Sequence, residues 1–180
     1  MITSISEIFY IIVLTAAIGY IFSGYIKIQG VYSKGFNWKS IKFAILVSAP
    51  AIVLHELGHK FTGLILGYEA MFNLWIPGLL LGIFLRVIGS PFLILAPGYV
   101  SVNPNLPIEL TAIAFAGPFI NLMLYLTAII ILRFKRKLRQ KEFLFWHLTK
   151  IINMWLFIFN MIPIPPLDGS KVIGGLFGLF

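Results

Sequence analysis

Apolar residues in this chain come in long runs separated by short polar breaks, not in the narrow stripes of a water-soluble fold. Ile8 to Ile26 is the first run, and a polar stretch, Lys27 to Lys42, follows it. The second, Phe43 to Leu66, contains His55, Glu56, His59 and Lys60. The third, Leu74 to Val100, carries Arg86 and is punctuated by Pro77-Gly78, Gly89-Ser90-Pro91 and Pro97-Gly98. Leu110 to Leu132 is uninterrupted. After a short polar loop, Phe143 to Ile162 forms the last long run, which breaks into Pro163-Ile164-Pro165-Pro166-Leu167-Asp168-Gly169. The chain closes on a short apolar tail, Val172 to Phe180. A bilayer span takes about 20 mostly apolar residues. The pattern therefore predicts an all-α polytopic membrane protein with about four transmembrane helices. The Pro, Gly and Arg of the third run predict a broken, re-entrant element instead of a straight crossing. Within Tyr68 to Ile76, Phe72, Leu74 and Ile76 alternate against Asn73 and Trp75, the period of a strand.

Composition agrees with the runs. Hydrophobic residues make up 59% of the chain and charged residues 11%, against about 45–50% and about 25% in soluble domains. The formal charge of +8 raises the question of nucleic-acid binding, but the apolar excess argues against it and for a lipid bilayer as the partner. Basic residues between apolar runs fix membrane orientation. The loop after the fourth run holds six of them: Arg133, Lys135, Arg136, Lys137, Arg139 and Lys141. If the third run returns to the side it left, this loop and Lys27–Lys42 share one face, which the charge rule marks as cytoplasmic. Glu7 is the only charge before the first run. With no basic segment ahead of it, residues 5–26 are expected to be a retained helix and not a cleaved signal. Without repeats or a linker, the chain is expected to be a single membrane domain, residues 1–180, in the cell membrane.

There is no cysteine, so disulfides and thiolate metal sites are excluded, and a transition metal must be held by His and carboxylates. His55-Glu56-Leu57-Gly58-His59 places two imidazoles at i and i+4, on one helical face and within reach of one ion. Glu56 is then the general base beside a water whose pKa zinc lowers to roughly 7. On a soluble helix this pattern competes with chance. Inside an apolar run, ionisable residues are costly and are functional by default.

A catalytic zinc site has three protein ligands and an open position. Glu7 and Glu142 lie at the terminus and in the basic loop, and His147 sits among aromatic residues. Glu109 precedes the fourth run, where an acid favours a helix start. Glu69 needs a sharp turn at Gly67. Asp168 follows a proline-rich break at membrane depth, a backbone that must be buried in protein or line a wet cavity. Asp168 is therefore the expected third ligand, with Glu69 or Glu109 as its rivals.

The same residues resemble a known family. His55-Glu56-Leu57-Gly58-His59 in one membrane segment, with Asn160-Met-Ile-Pro163-Ile-Pro-Pro-Leu167-Asp168-Gly169 after a later one, is similar to the signatures of the site-2 protease family of intramembrane metalloproteases. Ala116-Gly117-Pro118-Phe-Ile-Asn121 resembles that family's third signature. The resemblance covers about Ala44 to Lys171. It implies a three-helix catalytic core at about 43–171 and one zinc ion held by His55, His59 and Asp168. It implies Glu56 as general base and a transmembrane protein as substrate. By the same resemblance Asn121 and Asn160 contact the substrate backbone or the oxyanion; ordinary helix–helix hydrogen bonds are the plainer alternative. The chain departs from parts of the family in lacking a PDZ-like or nucleotide-binding module and in its long Leu74–Val100 insert. The family also implies a site open to the cytosol, opposite to what the charge count predicts. A metal transporter built on the same ligands is the non-enzymatic alternative, against which an intact Glu56 argues.

Overall fold

Ser4 opens the first helix. Its hydroxyl accepts from the Glu7 backbone N–H at 3.3 Å, and its own N–H donates to Glu7 Oε2 at 2.8 Å, a reciprocal cap of two orphan donors. The helix that follows, α1, runs Ile5–Ser23. The computed structural model describes residues 4–26, 37–91 and 97–178. In chain order it holds α1, α2 (Trp38–Ile65), β1 (Met71–Leu74), α3 (Ile76–Val87), β2 (Gly98–Ser101), α4 (Pro107–Phe134), α5 (Gln140–Asn160) and α6 (Asp168–Leu176). The chain forms two compact units, Met1–Val53 with Met71–Ser101, and Leu54–Ala70 with Val102–Phe180.

In the first unit, α1 buries Leu14, Ile18 and Ile21 and exposes Ile5, Ile8, Phe9 and Ile12. Glu7 is buried, and its Oε1 accepts from the Phe72 N–H at 2.7 Å, so the cap of α1 also holds β1. The strands pair antiparallel, with Met71 opposite Ser101 and Leu74 opposite Gly98. Just beyond them the Trp75 N–H donates to the Pro97 carbonyl at 3.0 Å. The third apolar run therefore leaves and returns at the paired ends of one hairpin. Between those ends lies α3, with Pro77 in its first turn. Twelve residues give about 18 Å, short of the roughly 30 Å hydrocarbon core. Arg86, near the C-terminal end of α3 where a cation suits the helix dipole, lies over the Tyr20 ring at 5.8 Å. The expected strand thus exists but is shorter than Tyr68–Ile76. Residues 92–96 of the third run, and all but the end of Lys27–Lys42, lie outside the described residues.

In the second unit, α2 ends where Gly67 takes φ +87°, a conformation that favours glycine. It lets the Tyr68 N–H close back on the Gly63 carbonyl at 3.0 Å, a standard helix stop. The Tyr68 hydroxyl donates to Glu109 Oε2 and accepts from the Asn105 N–H at 3.1 Å. The same Glu109 oxygen accepts from the Leu106 N–H at 3.2 Å, capping α4. Phe119, Met123, Leu126, Ile130 and Phe134 form an exposed stripe along α4, while Ile113, Ala114, Gly117, Pro118, Asn121 and Ala128 are buried. A long exposed apolar stripe is unfavourable in water and suits lipid. Both α5 and α6 pack on α4.

The protein is mostly helical, and among the described residues α1, α2 and α4 are long and apolar enough to cross a membrane. The fourth expected span falls on the 21-residue α5, which is not one of these three. It carries Lys141, Glu142 and Lys150, so its composition is less apolar than that of the other three.

Candidate metal centre

The second half of α2 presents His55 and His59 one turn apart, with ring centroids 4.7 Å apart and planes nearly perpendicular at 85°. Both are buried. The reversal after α5 delivers Asp168 as the first residue of α6. The sequence predicts an extended segment here. The chain instead turns through residues 161–167 and starts a helix, where an acid in the first turn is favoured. Gly169 makes the reversal tight, because a Cβ there would meet the Met161 backbone and lie 2.6 Å from the Ile162 carbonyl.

His55 Nε2 stands 3.1 Å from Asp168 Oδ2 and 3.1 Å from His59 Nε2, and His59 Nε2 is 3.3 Å from Asp168 Oδ2. Ligands at about 2.0–2.2 Å from a tetrahedral zinc stand roughly 3.3–3.6 Å apart, close to this triangle. The far sides of the rings fix what faces inward. His59 Nδ1 donates to the Ile113 carbonyl at 2.7 Å, and His55 Nδ1 donates to Asn121 Oδ1 at 2.6 Å. Each Nε2 then carries a lone pair. Two lone pairs and a carboxylate oxygen converging on one point call for a cation.

Gly117 makes room for this triangle. A Cβ at Gly117 would overlap His59 Nε2 and come within 2.8 Å of His55 Nε2. Gly58 serves the approach of α2 to α4, since a Cβ there would lie 2.7 Å from Ile120 Cδ1 and 3.0 Å from the Ala116 carbonyl. Pro118 removes one backbone donor from α4 a turn after Ala114, beside Ile113, whose carbonyl holds His59.

Among the described residues, His55, His59 and Asp168 form the group whose ligand atoms lie close enough together to hold a metal. Glu56 is half-buried and follows His55 directly in α2. Asn121 is fully buried, with one amide atom on His55 and the other on Asn153, a different partner set from the substrate contact expected. Asn160 is the last residue of α5 and is half-buried. Glu109 is committed to Tyr68 and the α4 cap. Neither it nor Glu69 belongs to the metal group. Sequence reasoning missed Asn153, Gly117 as a spacer and the Ile113 carbonyl. Asn153 had one available signal, an amide inside an apolar run.

The sequence matches no family model. It is 35% identical over 149 residues to a protein of Methanocaldococcus jannaschii named "Putative zinc metalloprotease MJ0611", a match spanning 76% of this chain and 73% of that protein. It is 30% identical over 143 residues to "Putative zinc metalloprotease sll0528" of Synechocystis sp., spanning 78% of this chain and 33% of that longer protein.

Proposed function

The chain belongs to the zinc metalloprotease family of these relatives, and from that premise we propose that it is an intramembrane protease of the site-2 type. It hydrolyses peptide bonds in or near the transmembrane segments of other membrane proteins. The observation that carries this reading is the His55–His59–Asp168 triangle, two of whose members lie within α2, a helix long and apolar enough to cross a bilayer. A multi-pass chain in the cell membrane is part of the same proposal.

His55, His59 and Asp168 would hold one zinc ion. When bound, zinc supplies a Lewis acid that makes water a nucleophile at neutral pH. Glu56, the neighbour of a ligand and not a ligand itself, takes the proton from the attacking water and passes it to the leaving amine. Asn160, at the end of α5, is the candidate contact to an unwound substrate backbone. The half-buried setting of Glu56 beside buried imidazoles limits competing water.

The test is incubation of the purified protein with single membrane helices, comparing wild type with Glu56→Gln. Glu56→Gln should lose cleavage and keep one zinc. His55→Ala, His59→Ala and Asp168→Asn should each lose both. Equal zinc loss in Glu56→Gln overturns the assignment of roles. Zinc uptake into vesicles without proteolysis would point to a transporter instead.

A further inference from the structure

Behind His55 lies a chain of buried amides whose direction is fixed from its far end. Asn153 Nδ2 donates to the Thr149 carbonyl at 2.8 Å. A backbone carbonyl can only accept, so the NH2 of Asn153 must point there and its Oδ1 must face the other way. That oxygen accepts from Asn121 Nδ2 at 2.9 Å. Asn121 Oδ1 is therefore the atom turned to His55 Nδ1, 2.6 Å away. An amide oxygen also only accepts, so Nδ1 must carry the proton, and in the neutral ring that binds a metal Nε2 keeps the lone pair. Both asparagines are at most 1% exposed, so water does not compete for these bonds.

We propose that Asn121 and Asn153 are positioning residues for the metal ligand His55. Together with the Thr149 carbonyl they form a one-way relay that sets the His55 tautomer and ring orientation before any ion binds. The proposal rests on the metal-site reading above. The logic is that of the outer-shell partners of zinc histidines, whose loss costs on the order of 10–100-fold in metal affinity. Asn153 never touches the imidazole. Its part is to stop the Asn121 amide from rotating. A rotated Asn121 would present NH2 to Nδ1, select the other tautomer and aim an N–H at the metal position.

The experiment measures zinc affinity of the full-length protein by chelator competition, and the His55 tautomer by 15N resonances of the zinc-free protein. Asn121→Leu and Asn153→Leu should each bind zinc about 10–100-fold more weakly. Asn121→Asp keeps an acceptor on Nδ1 and so still selects the Nδ1–H form, but sets its second oxygen against Asn153 Oδ1, so it should bind zinc more tightly than Asn121→Leu and no more tightly than wild type. The unmutated zinc-free protein should show His55 protonated at Nδ1, and Asn153→Leu should lose that preference. Because Asn153→Leu can fail to fold, the Asn121 pair and the wild-type spectrum stand as independent tests. Unchanged zinc affinity in a folded Asn153→Leu overturns the relay. So does Asn121→Asp as weak as Asn121→Leu, or wild-type His55 protonated at Nε2. If the unmutated protein binds no zinc, the metal-site reading itself fails. If it binds zinc and the variants match it, only the relay fails.

Discussion

Gly117 contributes by what it lacks. A single added methyl at that position would occupy the space between the two Nε2 atoms, and those atoms are the far ends of rings already held by Ile113 and Asn121. Neither ring can retreat without losing its buried partner. Gly117→Ala is therefore expected to weaken zinc binding by about tenfold or more, comparable to losing an outer-shell partner, and to lower the stability of the zinc-free protein by about the 1–3 kcal/mol of one lost buried hydrogen bond. Zinc content beside the thermal unfolding midpoint of the zinc-free protein checks this, and full zinc occupancy in the variant would refute it. Thr149 makes the opposite case. Its carbonyl takes part in the relay, but its hydroxyl is buried without a hydrogen-bond partner. Thr149→Val keeps the carbonyl and removes that unpaired group, so zinc affinity should be unchanged and stability equal or higher by up to about 1 kcal/mol. A clear loss of zinc on Thr149→Val would mean that the hydroxyl is engaged after all. The His55–His59–Asp168 group was legible because metal chemistry restricts residue type and helical spacing restricts position. Gly117 and Asn153 were not, because the same residues occur in membrane helices for close packing and ordinary hydrogen bonding. Only their distance to an imidazole, or to the amide behind it, separates the two uses.

Between residues and the whole, the reversal joining α5 to α6 is the element on which the site depends. Pro163, Pro165 and Pro166 each remove a backbone donor and disfavour helix in the residue before them, so α5 cannot run on past Met161. Gly169 then lets α6 start against the end of α5. Its clash partner is backbone, which cannot swing aside as a side chain can. Gly169→Ala should therefore displace Asp168 and lower zinc affinity and turnover together. Replacing all three prolines with Ala should reduce turnover more than it reduces the unfolding midpoint, because the prolines aim Asp168 and bury little. Unchanged turnover in the triple variant would show the break to be incidental. The sequence located this break correctly but not its form, since a run of prolines excludes helix without saying where the next one begins. The β1–β2 hairpin has the same history. Alternation in Tyr68–Ile76 marked β1, whereas its partner Gly98–Ser101 lies across an intervening helix, and no local pattern reveals a pairing of that range.

For the molecule as a whole, the hairpin changes the argument about orientation. Because Leu74 pairs with Gly98, the excursion through α3 ends beside its start. If α2 and α4 each cross once and that excursion adds no crossing, the segment Lys27–Lys42 and the loop Arg133–Lys141 are expected on the same side. Together they hold ten basic residues, Lys27, Lys34, Lys39, Lys42, Arg133, Lys135, Arg136, Lys137, Arg139 and Lys141. In the latter loop Lys135 and Arg139 pair with Glu142 at 3.7 and 3.3 Å. Such exposed pairs are weak, and acids count little in setting topology. The charge rule thus assigns both segments to the cytoplasm and directs the metal centre, in the later half of α2, toward the opposite face. Resemblance to site-2 proteases points the other way, so the two lines of reasoning make separable predictions. The chain has no cysteine, so Ser33→Cys (outside the described residues) and Gln140→Cys are clean single reporters. An impermeant thiol reagent applied to intact cells should label neither, while both should react once the membrane is permeabilised. Labelling of both in intact cells would invert the orientation and place the metal centre toward the cytosol. Labelling of only one would mean that the segment between the strands crosses the membrane, and the paired hairpin ends would then be incompatible with the protein in its bilayer.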